Sequence, residues 1–168
     1  MKNLALLALF APAVALADEL PKPIQEMECL VGTWKGSGTV TMGKEKSKVD
    51  LTWDCKRTSA KHGVLCKLAL TGIPGLALYE ETDLMGWEPN TNLYHWYSVT
   101  NAGEVHDHVA KIPTDNKIQF VFTGTQEGKP FKEVIDFEFG KDAKALTLRA
   151  ETFLAGASTS VFEIKAKK

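Results

Sequence analysis

The chain of 168 residues sets 20 Lys and Arg against 21 Asp and Glu, a formal net charge of −1, with the two signs interspersed. That balance leaves no basic stripe for nucleic acid or an anionic membrane. With 44% hydrophobic residues, the length suits one domain with a substantial core.

Residues 1–17, MKNLALLALFAPAVALA, place Lys2 before an apolar run and end in a small-x-small site at Ala15 and Ala17. This is the pattern of a secretory signal peptide cut after Ala17. The run is short for a membrane span, and Pro12 interrupts it. The expected organisation is a signal peptide over 1–17 and a single domain over 18–168, periplasmic or secreted. No membrane anchor is expected, because a lipid anchor needs a cysteine at the new N-terminus and the first cysteine is Cys29.

In IQEMECLVG (24–32), Ile24, Met27, Leu30 and Val31 recur at helical spacing and Gly32 can end the run, which predicts a short N-terminal helix. From Thr33 the period changes to two. Strands are expected over 34–42, 48–57, 64–71, 77–87, 93–100, 104–110, 117–125, 130–139, 145–153 and 158–166, with Gly-, Asn-, Asp- and Pro-rich links between them. The KEKSK run is expected as a solvated loop between the first two strands. A parallel sheet needs connections of about a dozen residues or more, so these links force an antiparallel meander. Closing it removes both edges. The fold class is therefore all-β, an antiparallel up-and-down barrel of about ten strands, with a β-sandwich satisfying the same pattern. Alternation sets Val49, Leu51, Trp53 and Cys55 on one face, and Ile135, Phe137 and Phe139 inward on a later strand.

Cys55 and Cys66 flank the turn TSAKHG. If the hairpin closes around Ala60 and Lys61 they stand directly opposite, near enough for a cross-strand disulfide in the tighter kind of pair. A one-residue bulge would instead free Cys29 to compete, and reduced thiols are the third outcome.

The stretch ECLVGTWKGSGTV (28–40) resembles the opening of calycin barrels such as lipocalins and fatty-acid-binding proteins. It is more similar still to a bacterial family of secreted calycin-like proteins of unknown function, whose Gly-Thr-Trp-x-Gly-x-Gly opening is followed by a Gly-aromatic-acidic turn and an aromatic strand. Here GWEPNTNLYHWYSV (86–99) and a turn at Gly103 match those parts. The resemblance covers 24–166 and implies a barrel with an apolar ligand, in which Trp34 plugs one end and Gly32 lets the chain bend. Calycins often set an arginine near the chain end against that Trp. The matching segment here offers Lys167, and Arg149 is the only late arginine. Haem-binding barrels of the superfamily use a histidine near the C-terminus, and none follows His108, so no haem or other cofactor is expected.

EVHDHVA (104–110) sets His106 and His108 on one strand face and Asp107 on the other. A tight turn at Ala102–Gly103 puts Val99 opposite His106 and Tyr97 opposite His108, with His95 on the same face. A preceding hairpin with Trp87 opposite Leu93 sets Asp83 opposite Tyr97. The expected ligand-binding patch is Asp83, His95, Tyr97, His106 and His108. Such a set suits the polar lining of a ligand pocket, or zinc held by imidazoles and a carboxylate, and solvent-facing histidines are the plain alternative. Glu80, Glu81 and Asp83 make a poor acid pair for glycosidic chemistry, since adjacent strand residues diverge and no sugar platform accompanies Glu81 and Asp83. Ser37 and Ser98 lack a nucleophile-elbow turn. The chain is therefore expected to be no enzyme and to hold no resident metal. The leading expectation is a monomer or weak homodimer that binds a small apolar molecule. An envelope module with a filled interior, or a His-based metal-dependent enzyme, are the alternatives.

Overall fold

The computed structural model describes residues 19–111 and 116–168, so the segment 1–17 lies outside the described residues. Helix α1 (Lys22–Glu26) runs into a 3-10 turn (Met27–Leu30). The helix expected over 24–32 thus starts earlier, with Pro23 in its first turn where a missing N–H leaves no bond unmade. Ten strands follow: β1 (Gly32–Met42), β2 (Glu45–Arg57), β3 (Gly63–Thr71), β4 (Tyr79–Glu88), β5 (Leu93–Thr100), β6 (Val105–Lys111), β7 (Lys117–Gln126), β8 (Lys129–Phe139), β9 (Ala145–Leu154) and β10 (Ala157–Lys167). Each pairs antiparallel with its sequence neighbours, and β1 pairs with β10 to close the barrel, which excludes the sandwich. The KEKSK run is not a loop: β2 begins at Glu45, and Glu45 to Lys48 pair with Met42 to Thr39.

Closure depends on two glycines. At the β1–β10 seam a Cβ on Gly36 would lie 2.3 Å from the Lys165 carbonyl oxygen, and one on Gly38 would lie 1.9 Å from that of Glu163. No side chain fits there, which is the physical content of the Gly-x-Gly after Trp34. At the opposite side the barrel is thinly stitched, with β6 and β7 sharing a single paired position, Val109 with Val121.

The end of the barrel beside α1 is filled. Ile24, Met27 and Leu30 are buried beneath the strands, and Trp34 is fully buried with its indole N–H donating to the Leu30 carbonyl at 2.8 Å. Trp53 stacks on Phe137 at 5.5 Å, and Phe137 in turn stacks on Trp96 at 5.5 Å. The cation over Trp34 is Lys168, its ammonium 4.7 Å from the ring centre. The stem of that lysine passes Gly32, whose φ of +130° and proximity to Lys168 Cδ both favour glycine. Lys167 and Arg149 are therefore not the partners of Trp34. Lys167 points outward by strand parity, and Arg149 turns out to Glu151 at 2.6 Å.

Cys55 stands opposite Cys66 with their Cα atoms 4.1 Å apart, and the two form a disulfide on the inward face. Cys29 remains a free thiol, and burial pushes it up to about 11 against the pull of the Lys168 ammonium.

Removing a buried large aromatic costs about 3–5 kcal/mol. Trp34→Ala is expected to lower the unfolding free energy in urea by that order, whereas Lys167→Ala leaves the midpoint unchanged. A Trp34→Ala midpoint equal to wild type would show that the indole does not plug the barrel.

Candidate functional site

At the end away from α1 the barrel is not filled. A cavity of about 380 Å³ opens there, walled by Leu51, Leu68, Leu70, Leu148 and Ile164, with Trp96 also in its lining. Its ionisable side chains come mostly from β4, β6 and β8, where Tyr79, Glu81, His106, His108 and Glu133 line it, and uncharged Ser98, Gln126, Thr152, Thr159 and Ser160 add polar groups elsewhere on the wall.

Strand parity explains which candidates arrive there. Ser98 faces His106 and Trp96 faces His108, while Tyr97 faces Asp107. On the other side Asp83 faces Ser98 and Glu88 faces Leu93. Both hairpins thus differ by one residue from the expected pairing. The Thr100 N–H donates to the Glu104 carbonyl at 3.0 Å, which makes Asn101–Gly103 a three-residue loop ending in left-handed Gly103. The β4–β5 loop likewise holds four residues, Pro89 to Asn92, with Asn92 at φ 58°. The expected patch is therefore divided. Asp83, His106 and His108 point inward, and Asp107 outward as expected. His95 and Tyr97 do not join them: they lie on the outer face, stacked at 5.8 Å, with His95 Nδ1 3.1 Å from Asp107 and Tyr97 48% exposed.

Glu133 completes the inner cluster. His108 Nε2 lies 2.7 Å and His106 Nδ1 3.3 Å from its Oε2. Burial pulls the Glu133 carboxyl up, but the hydrogen bonds from His106 and His108 outweigh it and hold the group down to about 2. The three ligating atoms lie within 4.8 Å of one another. Reaching His108 from β8 means crossing β7, whose Phe122 stands between them. Phe122 leans along its own strand, so that a Cβ on Gly124 would lie 2.8 Å from its Cζ, and it stacks on His106 at 4.1 Å. Gly124 thereby clears the path between Glu133 and the imidazoles.

A second acidic pair sits alongside. Asp83 accepts from the Trp53 indole N–H at 2.9 Å, and Glu81 accepts from the Tyr79 hydroxyl at 3.2 Å. Burial pushes the Glu81 carboxyl up to about 9, and the charge of Asp83 adds to the rise. Burial also raises Asp83, although a hydrogen bond from Glu81 works against it. Asp83 Oδ1 is buried with no donor among the other described residues.

Sequence reading set Glu81 aside and passed over Glu133. Parity carried the signal for both: Glu133 shares a face with Ile135 and Phe137, and Glu81 with Asp83.

No protein-family model matches the chain, and no curated protein matches it in sequence. In fold it is similar to Rv2717c from M. tuberculosis, with a TM-score of 0.65 at 12% identity over 89% of this chain and 99% of that one. It is also similar to the S-type phycobiliprotein lyase CPES from Guillardia theta, with a TM-score of 0.59 at 8% identity over 86% and 90%. At these identities the likeness is one of fold alone. It also corrects the expectation of a chain that is no enzyme. A barrel of this fold is a phycobiliprotein lyase, so the architecture gives no ground for excluding catalysis.

The raised Glu81 has a testable consequence. The folded protein holds a proton that the unfolded chain, with its carboxyl near 4.5, releases between about pH 4.5 and 9. Stability from this group is full below that window and is lost as the pH rises through it. Glu81→Gln is therefore expected to gain stability relative to wild type at pH 8 compared with pH 5, in paired urea titrations. An equal difference at both pH values would show that Glu81 is not held protonated beside Asp83, Tyr79 and Glu133.

Proposed function

We propose that the protein is an exported barrel that carries a small, largely apolar molecule, seated in the cavity with a hydrogen-bonding head toward Glu81, His106, His108 and Glu133. The observation that carries this reading is the distribution of polarity. Most of the wall is apolar, aliphatic and aromatic together, and the ionisable groups collect on one side of it. Pockets that bind small molecules have this form, an apolar enclosure with a few convergent polar groups, and range over about 300–1,000 Å³. Among them this is a compact one.

The charges narrow the ligand. Glu133 is ionised and already accepts from two imidazoles, and the Glu81–Asp83 pair holds one proton between two carboxyls. A carboxylate head would meet these negative charges at low dielectric. A neutral hydroxyl or carbonyl meets the Glu81 proton and the imidazoles without that repulsion. The ligand class is thus a neutral apolar molecule with one such head, and not a fatty acid.

Export is supported by the Cys55–Cys66 disulfide, since such bonds persist in oxidising compartments, and by the leader-like 1–17 segment. No helix among the described residues is long and apolar enough to cross a membrane. Intact-mass measurement of the exported protein is expected to show an N-terminal Asp18, and retention of Met1 in that material would remove the reading.

Carriage is tested with an environment-sensitive fluorescent probe. The chelator-treated wild type is expected to bind it, a medium-chain alcohol to displace it, and the fatty acid of equal length to fail to do so at neutral pH. Ala150→Phe fills the cavity from β9 and is expected to abolish binding, whereas Val105→Ser on the exposed outer face leaves it intact. Probe binding lost in Val105→Ser and kept in Ala150→Phe would place the ligand outside the barrel.

A further inference from the structure

We propose that His106 Nδ1, His108 Nε2 and Glu133 Oε2 form a binding site for a divalent transition metal, zinc being the best match, with its open coordination position directed into the cavity. The site stands whether or not the cavity takes an organic ligand.

The donor chemistry comes first. Two imidazole nitrogens and one carboxylate oxygen are the ligand set of open, three-residue zinc sites, and oxygen-only cations such as calcium or magnesium are poorly served by it. The spacing fits as well. Around a tetrahedral metal with bonds of about 2.0–2.2 Å, ligand atoms stand about 3.3 Å apart. Here the distances to Glu133 Oε2 are 3.3 Å from His106 and 2.7 Å from His108, and all three atoms lie within 4.8 Å.

The backbone then supplies the arrangement. His106 and His108 share the inner face of β6 because a strand alternates with period two, and Glu133 approaches from β8 by the path that Gly124 leaves beside Phe122. Packing fixes the rings. His108 is 1% exposed, with Trp96 at 5.2 Å and Phe122 at 5.6 Å, and His106 lies flat on Phe122. Aromatic walls on both imidazoles restrict their rotamers, which lowers the conformational entropy lost on binding an ion. The cluster also lacks a competing cation: no lysine or arginine among the described residues forms an ion pair with Glu133.

Coordination uses the lone pair of each ring nitrogen, so a proton carried on His108 Nε2 moves to Nδ1 or leaves to solvent as the ion enters. His108 Nδ1 is buried with no hydrogen-bond partner among the described residues, and is free to take that proton. The three protein ligands leave a fourth position, and the side toward the cavity is the one not occupied by protein.

The test is a calorimetric titration of Zn(II) into the untagged full-length chain, with Co(II) absorption reporting coordination number. Wild type is expected to take up one equivalent and to give the intense visible bands of four-coordinate Co(II). Glu133→Gln and His106→Gln are each expected to weaken binding by about 100-fold or more, at least the loss seen when outer partners of a metal ligand are removed. His106 lies toward the rim and is half-buried, so its variant keeps the test valid should Glu133→Gln fail to fold. His95→Gln on the outer face and Cys29→Ser are expected to bind as wild type does. A wild-type chain that takes up no Zn(II), or uptake that survives His106→Gln and vanishes in His95→Gln or Cys29→Ser, overturns the site. Because the alcohol competition uses chelator-treated protein, the carrier reading and the metal site fail or stand separately.

Discussion

A closed barrel has one interior, and every strand sends alternate side chains into it. Once β1 meets β10 across Gly36 and Gly38, no strand can turn its inward residues away without shifting register by one and exposing its whole apolar set. That constraint fixes the rest of the molecule. Trp34, Trp53, Phe137 and Trp96 fill the end beside α1 because parity sends them there. The same parity carries Glu81, His106, His108 and Glu133 to the wall of the cavity at the far end. Apolar plug and polar cluster are products of one rule applied along ten strands.

The same rule decides what sequence alone reveals. The Cys55–Cys66 opposition was legible because the turn between them pairs Thr58 with Gly63, as the spacing suggests. The inward facing of His106 and His108 was legible from period two. Their neighbours were not, because a register depends on loop length as well as on alternation. The Ala102–Gly103 dipeptide reads as a two-residue turn, yet Asn101 belongs to the loop, with its side chain accepting from the Glu80 N–H and donating to the Leu78 carbonyl. Those bonds to the neighbouring strand are tertiary, and hairpin statistics do not contain them. One residue added to the loop moved Tyr97 and His95 to the outer face. Lys168 in place of Lys167 over Trp34 is the same kind of difference: the strand runs to Lys167, one residue past the expected end at 166, and the terminal side chain folds back across Gly32.

Energetics separate the two ends of the barrel. Aromatic stacking and apolar burial make the α1 end a source of stability, by about 25 cal/mol for each Å² of apolar surface removed from water. The cavity end is a drain on it. A raised carboxyl at Glu81, a buried Asp83 and an ionised Glu133 all carry desolvation penalties that their hydrogen bonds only partly offset. Replacing such groups with well-packed hydrophobic residues is often neutral or stabilising. Their presence therefore has no explanation in folding stability, and it coincides with a part of the interior that is left open.

The thin β6–β7 seam belongs to the same end. His106, His108 and Phe122 lie along it, and a single paired position joins the two strands. Backbone groups on unpaired lengths of strand exchange hydrogen bonds with water, and elements with few ladder bonds open at lower free energy than the fold as a whole. The groups that would hold a ligand or an ion thus stand beside the part of the wall that parts most readily, while the disulfide pins β2 to β3 elsewhere on the barrel. Rigidity at β2–β3 and compliance at β6–β7 give a cavity whose shape is held on one side and whose polar groups can adjust on the other.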